Sequence, residues 1–193
     1  MLGLKVATDP AWANVALADL DCVLVDHAHC EMKAASNAMA LAARNPRTPG
    51  FVLRLVELAR EELDHFARVV RELERRGIPL GPPPVDAYAA ELRKQAAPLD
   101  EDPLVVRLIV AALIEARSCE RFKLLLDAMG PAHSMFEFYT ELFEAEARHY
   151  RTFLDLAEEI IGEARTHVLL EDALRIEADV VRGLGPPSAV IHG

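Results

Sequence analysis

The chain has only three cysteines, Cys22, Cys30 and Cys119, and no CxxC pair. That scarcity excludes a disulfide framework and a rubredoxin-like thiolate site, since both need paired or closely spaced thiols. Positive charge is also short. Against 31 Asp and Glu stand 21 Lys and Arg, a net charge of −10. Such a balance argues against wholesale binding of polyanions but leaves room for a local basic patch. No uncharged run approaches the roughly 20 residues that span a bilayer. The opening stretch, MLGLKVATDPAWANVALADL, lacks the basic-then-apolar order of a signal peptide. A cytoplasmic protein with no membrane partner is expected. Missing too is any stretch with the alternating β-branched pattern of a strand.

What is present is helical. Ala, Leu, Glu and Arg dominate, with apolar residues three and four apart almost throughout. With 193 residues, 52% of them hydrophobic, the chain is long enough for one domain with a full core. The pattern predicts a first helix from about Ala16 to Arg44, stopped by NPRTPG, and a second from about Phe51 to Arg76, closed by Gly77 and Pro79. A proline-rich connection over 77–102 holds a short helix at Val85–Ala96. A third main helix spans Pro103 to Met129, and after Gly130–Pro131 a fourth runs to about Ile161. A shorter fifth covers Ala164 to Arg182. Short turns force helices one and two, and three and four, into antiparallel hairpins joined by a crossover. The expected fold is all-α, a ferritin-like four-helix bundle with a short C-terminal helix, in a single domain over 1–183 with a tail at 184–193.

Four of these helices carry polar residues on the stripe that should be buried. The second aligns Leu55, Leu58, Glu62, His65, Val69 and Leu73; the fourth aligns Leu142, Glu146, His149, Phe153, Leu156 and Ile160. Glu115 shares a stripe with Leu108, Ala111, Phe122 and Leu126, and Glu31 one with Leu24, Ala28 and Ala38. Glu31 to Glu62 is 31 residues, as is Glu115 to Glu146, and each second glutamate has a histidine three residues on. The whole set recurs at an offset of 84. The chain therefore repeats a hairpin bearing E…ExxH.

Both glutamate pairs are centred on their turns, at 46.5 and at 130.5. About 15 residues at ~1.5 Å rise place each pair roughly 23 Å from its turn, near the middle of a bundle. Crossing one hairpin against the other would bring four carboxylates and two imidazoles to one level. Buried together without a partner, the carboxylates would repel or take up protons. Two cations remove the conflict, and two Glu plus two Glu-x-x-His motifs is the donor set of di-iron and di-manganese carboxylate bundles. Oxygen and imidazole donors suit those metals. Metal ligands are thus expected at Glu31, Glu62, His65, Glu115, Glu146 and His149, with small neighbours Ala34, Ala35, Ala111, Ala112 and Ser118 leaving space for dioxygen or an organic group. A single ExxH on a charged helix is usually a solvated face; the repeat is what sets these two apart. His27, one turn from Glu31, is either a support for that ligand or simply packed. Cys30 and Cys119, near the ligands, are expected as inert packing and Tyr150, beside His149, as lining of the cavity, while Glu61, Glu120 and Glu144 are expected on polar faces.

The segments DHAHCEMKAASNAMAL, REELDHFARVVRELERRGIPLG, AALIEARSCERFKLL and YTELFEAEARHYRTFLDLA closely resemble the tRNA hydroxylase family called MiaE. The resemblance runs from about Trp12 to Arg182 and puts the family's iron ligands on the same six positions. It implies a di-iron monooxygenase that hydroxylates the isopentenyl side chain of 2-methylthio-isopentenyladenosine beside the anticodon. Its requirements are O2, two electrons from an external reductase, and a tRNA anticodon loop as partner. In an acidic chain, phosphates must be met by a concentrated group of cations. Candidates are Arg44, Arg47, Arg54, Arg60, Arg93, Lys94, Arg117, Arg121 and Lys123. The rivals are a ferritin- or rubrerythrin-like iron oxidase or peroxidase, a quinone-ring hydroxylase with the same repeat, and a metal-free interaction module.

Overall fold

A computed structural model describes residues 2–46, 49–185 and 188–192 of the chain. Every regular element among them is an α-helix: α1 (Ala11–Ala18), α2 (Leu20–Arg44), α3 (Pro49–Arg76), α4 (Ala87–Ala96), α5 (Pro103–Met129), α6 (Phe136–Ile161) and α7 (Glu163–Gly183). They fall into two compact units. A hairpin unit comprises Ala18–Val85 with Ala189–Ile191, and a larger unit comprises Met1–Leu17, Asp86–Ser188 and His192–Gly193.

The hairpin unit consists of α2 packed on α3. The helix expected from Ala16 is in fact two, because Asp19 interrupts it. An aspartate side chain competes with the helical ladder for backbone N–H groups. Here its carboxylate accepts from the Cys22 amide at 3.2 Å and caps α2. At the far end the two helices are tied antiparallel by Arg76, whose guanidinium donates to Asp21 at 2.9 Å. The stripes inferred from spacing are buried as expected, with Leu24, Ala28 and Ala38 on α2 facing the core, and Leu55, Val69 and Leu73 on α3 doing likewise. The segment after α3 returns along the hairpin, held by His29 Nε2 against the Leu80 carbonyl at 3.3 Å and by Lys33 Nζ donating to the Pro84 carbonyl at 3.2 Å. Near the other end of the chain, the Ile191 amide donates to Asp26 at 2.6 Å.

The larger unit is organised on α5, which is buried nearly all round. Asp102 caps it by accepting from Leu104, and Pro103 supplies a pre-set φ at its first turn. Its apolar run matches a helix enclosed on several sides, and it packs against α4, α6 and α7. Gly130 ends α5 at φ 68°, a left-handed conformation that a side chain would oppose. Two turns follow, and α6 starts only at Phe136. Between α6 and α7 stands Gly162 alone, at φ 81°. On α6 the stripe Leu142, Glu146, His149, Phe153 and Leu156 is buried, but Ile160 is 39% exposed because it lies in the last turn, where the helix runs out toward the Gly162 joint. Glu120, expected on a polar face, is buried on α5 as part of an ionic cluster.

That cluster is the chief polar feature of the larger unit outside the predicted ligands. Arg117, 1% exposed, donates from Nε and Nη2 to one oxygen of Glu177 at 3.0 and 2.6 Å, from Nη2 to the Val6 carbonyl at 3.0 Å, and from Nη1 to Thr8 Oγ1 at 3.1 Å and to Glu120. The Thr8 hydroxyl donates to Glu120 at 2.6 Å, and Tyr88 Oη to Glu177 at 3.1 Å. Burial pushes the Glu177 carboxyl up against Arg117's pull. The guanidinium, itself opposed by burial, is held above its ordinary value by Glu177. Two donors converging on one carboxylate oxygen are the geometry of an ionised pair. His192 is also fixed in this unit, with Nε2 2.9 Å from Ser118 Oγ and Nδ1 3.3 Å from Asp86, its ring tilted over Tyr88.

Candidate metal centre

In the hairpin unit, Glu31, Glu62 and His65 are 3%, 1% and 6% exposed, so all three predicted ligands of the first repeat lie inside. Each offers a ligand atom, and these atoms lie within 4.8 Å of one another. The antiparallel pairing of α2 and α3 accounts for this. Glu62 and His65, three apart on α3, share one face, and α2 presents Glu31 opposite them. His65 Nδ1 stands 3.5 Å from a Glu62 oxygen and 3.7 Å from Glu31 Oε2. The other oxygen of Glu31, Oε1, is 2.7 Å from His27 Nε2, and His27 is itself 1% exposed.

The electrostatics of this set call for positive charge. Burial would push the Glu31 carboxyl up, but His27 and His65 outweigh it and hold the group well below the usual carboxylate range. Burial likewise opposes a charged His65, yet Glu31 and Glu62 hold it up to about 10. Two buried carboxylates facing one imidazole therefore form a pocket of negative potential, and a divalent cation can take the place of the imidazolium proton.

The larger unit holds the second repeat in the same manner. Glu115 on α5 and Glu146 and His149 on α6 are 6%, 3% and 3% exposed. Glu115 and His149 offer ligand atoms within 4.8 Å of each other, and Glu146 lies one turn before His149 on α6. Carboxylate oxygens and imidazole nitrogens, buried and without thiolate, fit a hard or borderline metal ion. Each unit thus carries a carboxylate–histidine cluster able to bind metal.

Of the remaining sequence candidates, His27 contacts the predicted ligand Glu31 directly. It fixes one oxygen of Glu31 and leaves the other directed at His65, as groups behind a metal ligand do. His27→Ala is expected to weaken metal retention about 10- to 100-fold, read by competition with a chromophoric chelator. Unchanged retention would mean that Glu31 is oriented without it. Tyr150 is half-buried, its hydroxyl 3.5 Å from the Leu2 carbonyl. None of the three cysteines forms a disulfide; Cys22 is exposed, Cys30 half-buried and Cys119 buried. Burial, aided by Glu115 and Glu120, pushes the Cys119 thiol up to about 11. Since the thiolate is the reactive form, iodoacetamide at about pH 8 should label Cys22 first and spare Cys119 while the protein is folded. Equal labelling would contradict that burial.

Several cations named as phosphate contacts are corrected by their surroundings. Arg117 is consumed in the ionic cluster. Arg121, 5% exposed, lies over the Trp12 ring at 5.0 Å. Lys123 pairs with Asp127, and Lys94 with Glu91 at 3.1 Å. Arg44, Arg60 and Arg93 are exposed and Arg54 half-buried, while Arg47 lies outside the described residues. Glu177 and the Ser118–His192–Asp86 contacts were not foreseen. A signal for Glu177 did exist, because it continues the helical stripe of Leu169, Ala173 and Leu174.

An all-α, ferritin-like chain with a buried carboxylate–histidine cluster in each of two hairpins is, by fold and site, a helical metalloenzyme scaffold. Its particular kind follows from its relatives. The model of the family tRNA-(MS[2]IO[6]A)-hydroxylase (MiaE) matches residues 2–191, and the chain belongs to that family. It is 42% identical to a tRNA 2-(methylsulfanyl)-N(6)-isopentenyladenosine(37) hydroxylase of Pseudomonas putida, over 83% of this chain and 78% of that protein. A protein of the same name from Salmonella typhimurium is 30% identical over 92% of this chain and 83% of that one. Among solved structures, a protein from Synechococcus with aldehyde deformylating oxygenase activity superposes with a TM-score of 0.89 at 35% identity, covering 98% of this chain and 95% of that one. Among the described residues no helix is long and apolar enough to cross a membrane.

Proposed function

We propose that the protein hydroxylates the isopentenyl side chain of 2-methylthio-isopentenyladenosine in tRNA, at a dinuclear iron centre held by Glu31, Glu62, His65, Glu115, Glu146 and His149. The observation that carries this reading is the burial of E…ExxH twice over, once per hairpin, in a chain of the MiaE family. Two clusters of one design, each able to hold a cation, are what a dinuclear carboxylate site requires. The two units then act as one catalytic domain, and the protein works on tRNA in the cytoplasm.

Bound there, iron supplies activation of O2 with two electrons from an external reductase, a chemistry that no side chain provides. The remaining tasks fall to the protein. Glu62 and His65 are held one turn apart by α3, and Glu146 and His149 by α6, so each pair presents an oxygen and a nitrogen with fixed spacing. His27 commits one oxygen of Glu31 and leaves the other for metal. Leu58, Leu108, Phe122 and Leu142, buried on the same stripes as the ligands, exclude water from the reacting C–H group. Ala35, Ala111 and Ala112, also buried, take little room beside the ligands and leave it to the substrate side chain. The adenosine must leave its stack to reach a buried metal, which costs least in the unpaired anticodon loop.

Iron-loaded protein, a chemical reductant, oxygen and isopentenylated, methylthiolated tRNA provide the test, with the nucleosides then analysed by mass. One added oxygen on the isopentenyl group is the expected result. A second reading, oxygenation of an aldehyde, has the Synechococcus likeness in its favour. Aldehyde consumption with no change to the nucleoside would replace the first reading by the second.

A further inference from the structure

The acidity of the chain is not shared evenly. The hairpin unit carries nine Lys and Arg against ten Asp and Glu, a net −1, and the larger unit twelve against twenty-one, a net −9. Three of the ten acids in the hairpin unit, Asp26, Glu31 and Glu62, are buried and do not face solvent as surface charges. From residue 34 to residue 56, through the end of α2, the turn and the start of α3, there is no Asp or Glu at all, while Arg44, Arg47 and Arg54 fall within it.

The cations also differ in how they are used. In the larger unit they are mostly neutralised: Lys5 by Glu171, Lys94 by Glu91, Arg151 by Asp155 and Glu158, Arg165 by Glu101, Arg175 by Asp172 and Arg182 by Asp179. In the hairpin unit, exposed Arg44, Arg60 and Arg71 make no ion pair among the described residues. Arg44 ends α2 at the turn. Arg60 lies on the outer side of α3, nearly opposite the ligand face and at the level of Glu62. Six residues at ~1.5 Å place Arg60 about 9 Å beyond Arg54 along the helix, further from the turn. Nearby carboxylates are Glu57, Glu61 and Asp64, all exposed and all beyond the acid-free stretch.

From this distribution, and resting on the tRNA reading above, we propose that tRNA docks on the turn-side half of the α2–α3 hairpin, with Arg44 and Arg60 taking backbone phosphates. Cations already paired with carboxylates gain little from a phosphate, whereas unpaired exposed arginines give the full counterion-release term. Bidentate guanidinium–phosphate contact is also the strongest that a surface cation makes. The path runs from the turn to the level of the ligands, where the modified base must be delivered.

The test is tRNA binding by the iron-loaded full chain at several salt concentrations. The variants are Arg44→Glu, Arg60→Glu, their combination, and Arg93→Glu as the control, an exposed arginine of the larger unit. Each lost phosphate contact should weaken binding roughly four- to fivefold at ~0.15 M salt and reduce the slope of log affinity against log salt by about 0.7 to 0.9. The double variant should lose roughly 15- to 30-fold and Arg93→Glu little, with metal content and helicity unchanged. Equal losses in Arg93→Glu would mean that total charge and not this surface governs binding, and would overturn the proposal. So would retained affinity and slope in the double variant while the wild type binds and hydroxylates tRNA. A wild type that neither binds nor modifies tRNA would instead remove the function on which the surface depends, and the surface with it.

Discussion

Glu115→Ala is expected to abolish hydroxylation and to lower bound metal from two ions per chain to one at most. Glu115 lies on the most enclosed helix of the larger unit, 6% exposed, with a ligand atom within 4.8 Å of one from His149. Alanine leaves Glu146 and His149 with too few donors to hold an ion tightly. The loss of activity should exceed the roughly 10- to 100-fold that removing a group behind a metal ligand costs. Stability should change in the other direction. A buried carboxylate without a cation is a burden, so the metal-free variant should melt no lower than the metal-free parent. Metal analysis, nucleoside mass analysis and thermal melts of both forms separate lost ligation from lost fold. Glu144→Ala, on the exposed side of α6, should leave all three unchanged. Full metal content and normal product formation in Glu115→Ala would remove this residue from the centre.

The second large effect falls on stability. Arg117→Ala strips the counter-charge from Glu177, 0% exposed, and from Glu120, 8% exposed, and it leaves Thr8 and the Val6 carbonyl without their donor. Breaking a buried ion pair from one side costs about 3–5 kcal/mol. In a domain of this size that lowers Tm by roughly 6–20 °C. Arg117→Met combined with Glu120→Gln and Glu177→Gln should recover much of the loss, because no unpaired charge then remains. A Tm within about 2 °C of the parent in Arg117→Ala would show that the cluster contributes little. Iron binding by the surviving folded fraction should persist, since Arg117 is not itself a ligand.

Most helix spans, the hairpins and the burial of the six candidate ligands were legible in the sequence because each leaves a periodic trace. A carboxylate on an apolar stripe is visible at once, and the 31-residue spacing on both sides of a turn identifies partners that no local window would join. Interruptions by one residue were harder. Asp19 looks like any helix-surface aspartate until its side chain is seen on the Cys22 amide. Charge at the surface was the least legible. Arg117, Arg121 and Lys123 read as a basic cluster on one helix, but burial turns the first two inward and Asp127 occupies the third. Contacts distant in sequence do most to tell a spent arginine from an available one: beyond Glu120, three residues on, Arg117 has partners 60 and 109 residues away. The same distance hides His27 less, since its partner Glu31 is four residues on along one helix.

The contact between Thr8 and Glu120 spans 112 positions and encloses the whole α2–α3 hairpin. During synthesis the hairpin has nearly all its own partners once the segment to Val85 is made, and only the contact of Asp26 with Ile191 waits for later chain. Residues 6–8 are older than the hairpin, yet their acceptors and donors on α5, and the Glu177 that completes the cluster, emerge only after it. Closing so long a loop is slow compared with forming a hairpin of neighbours. Residues 6–8 are therefore made before the hairpin yet settle after it, when α5 and α7 supply the partners that hold them.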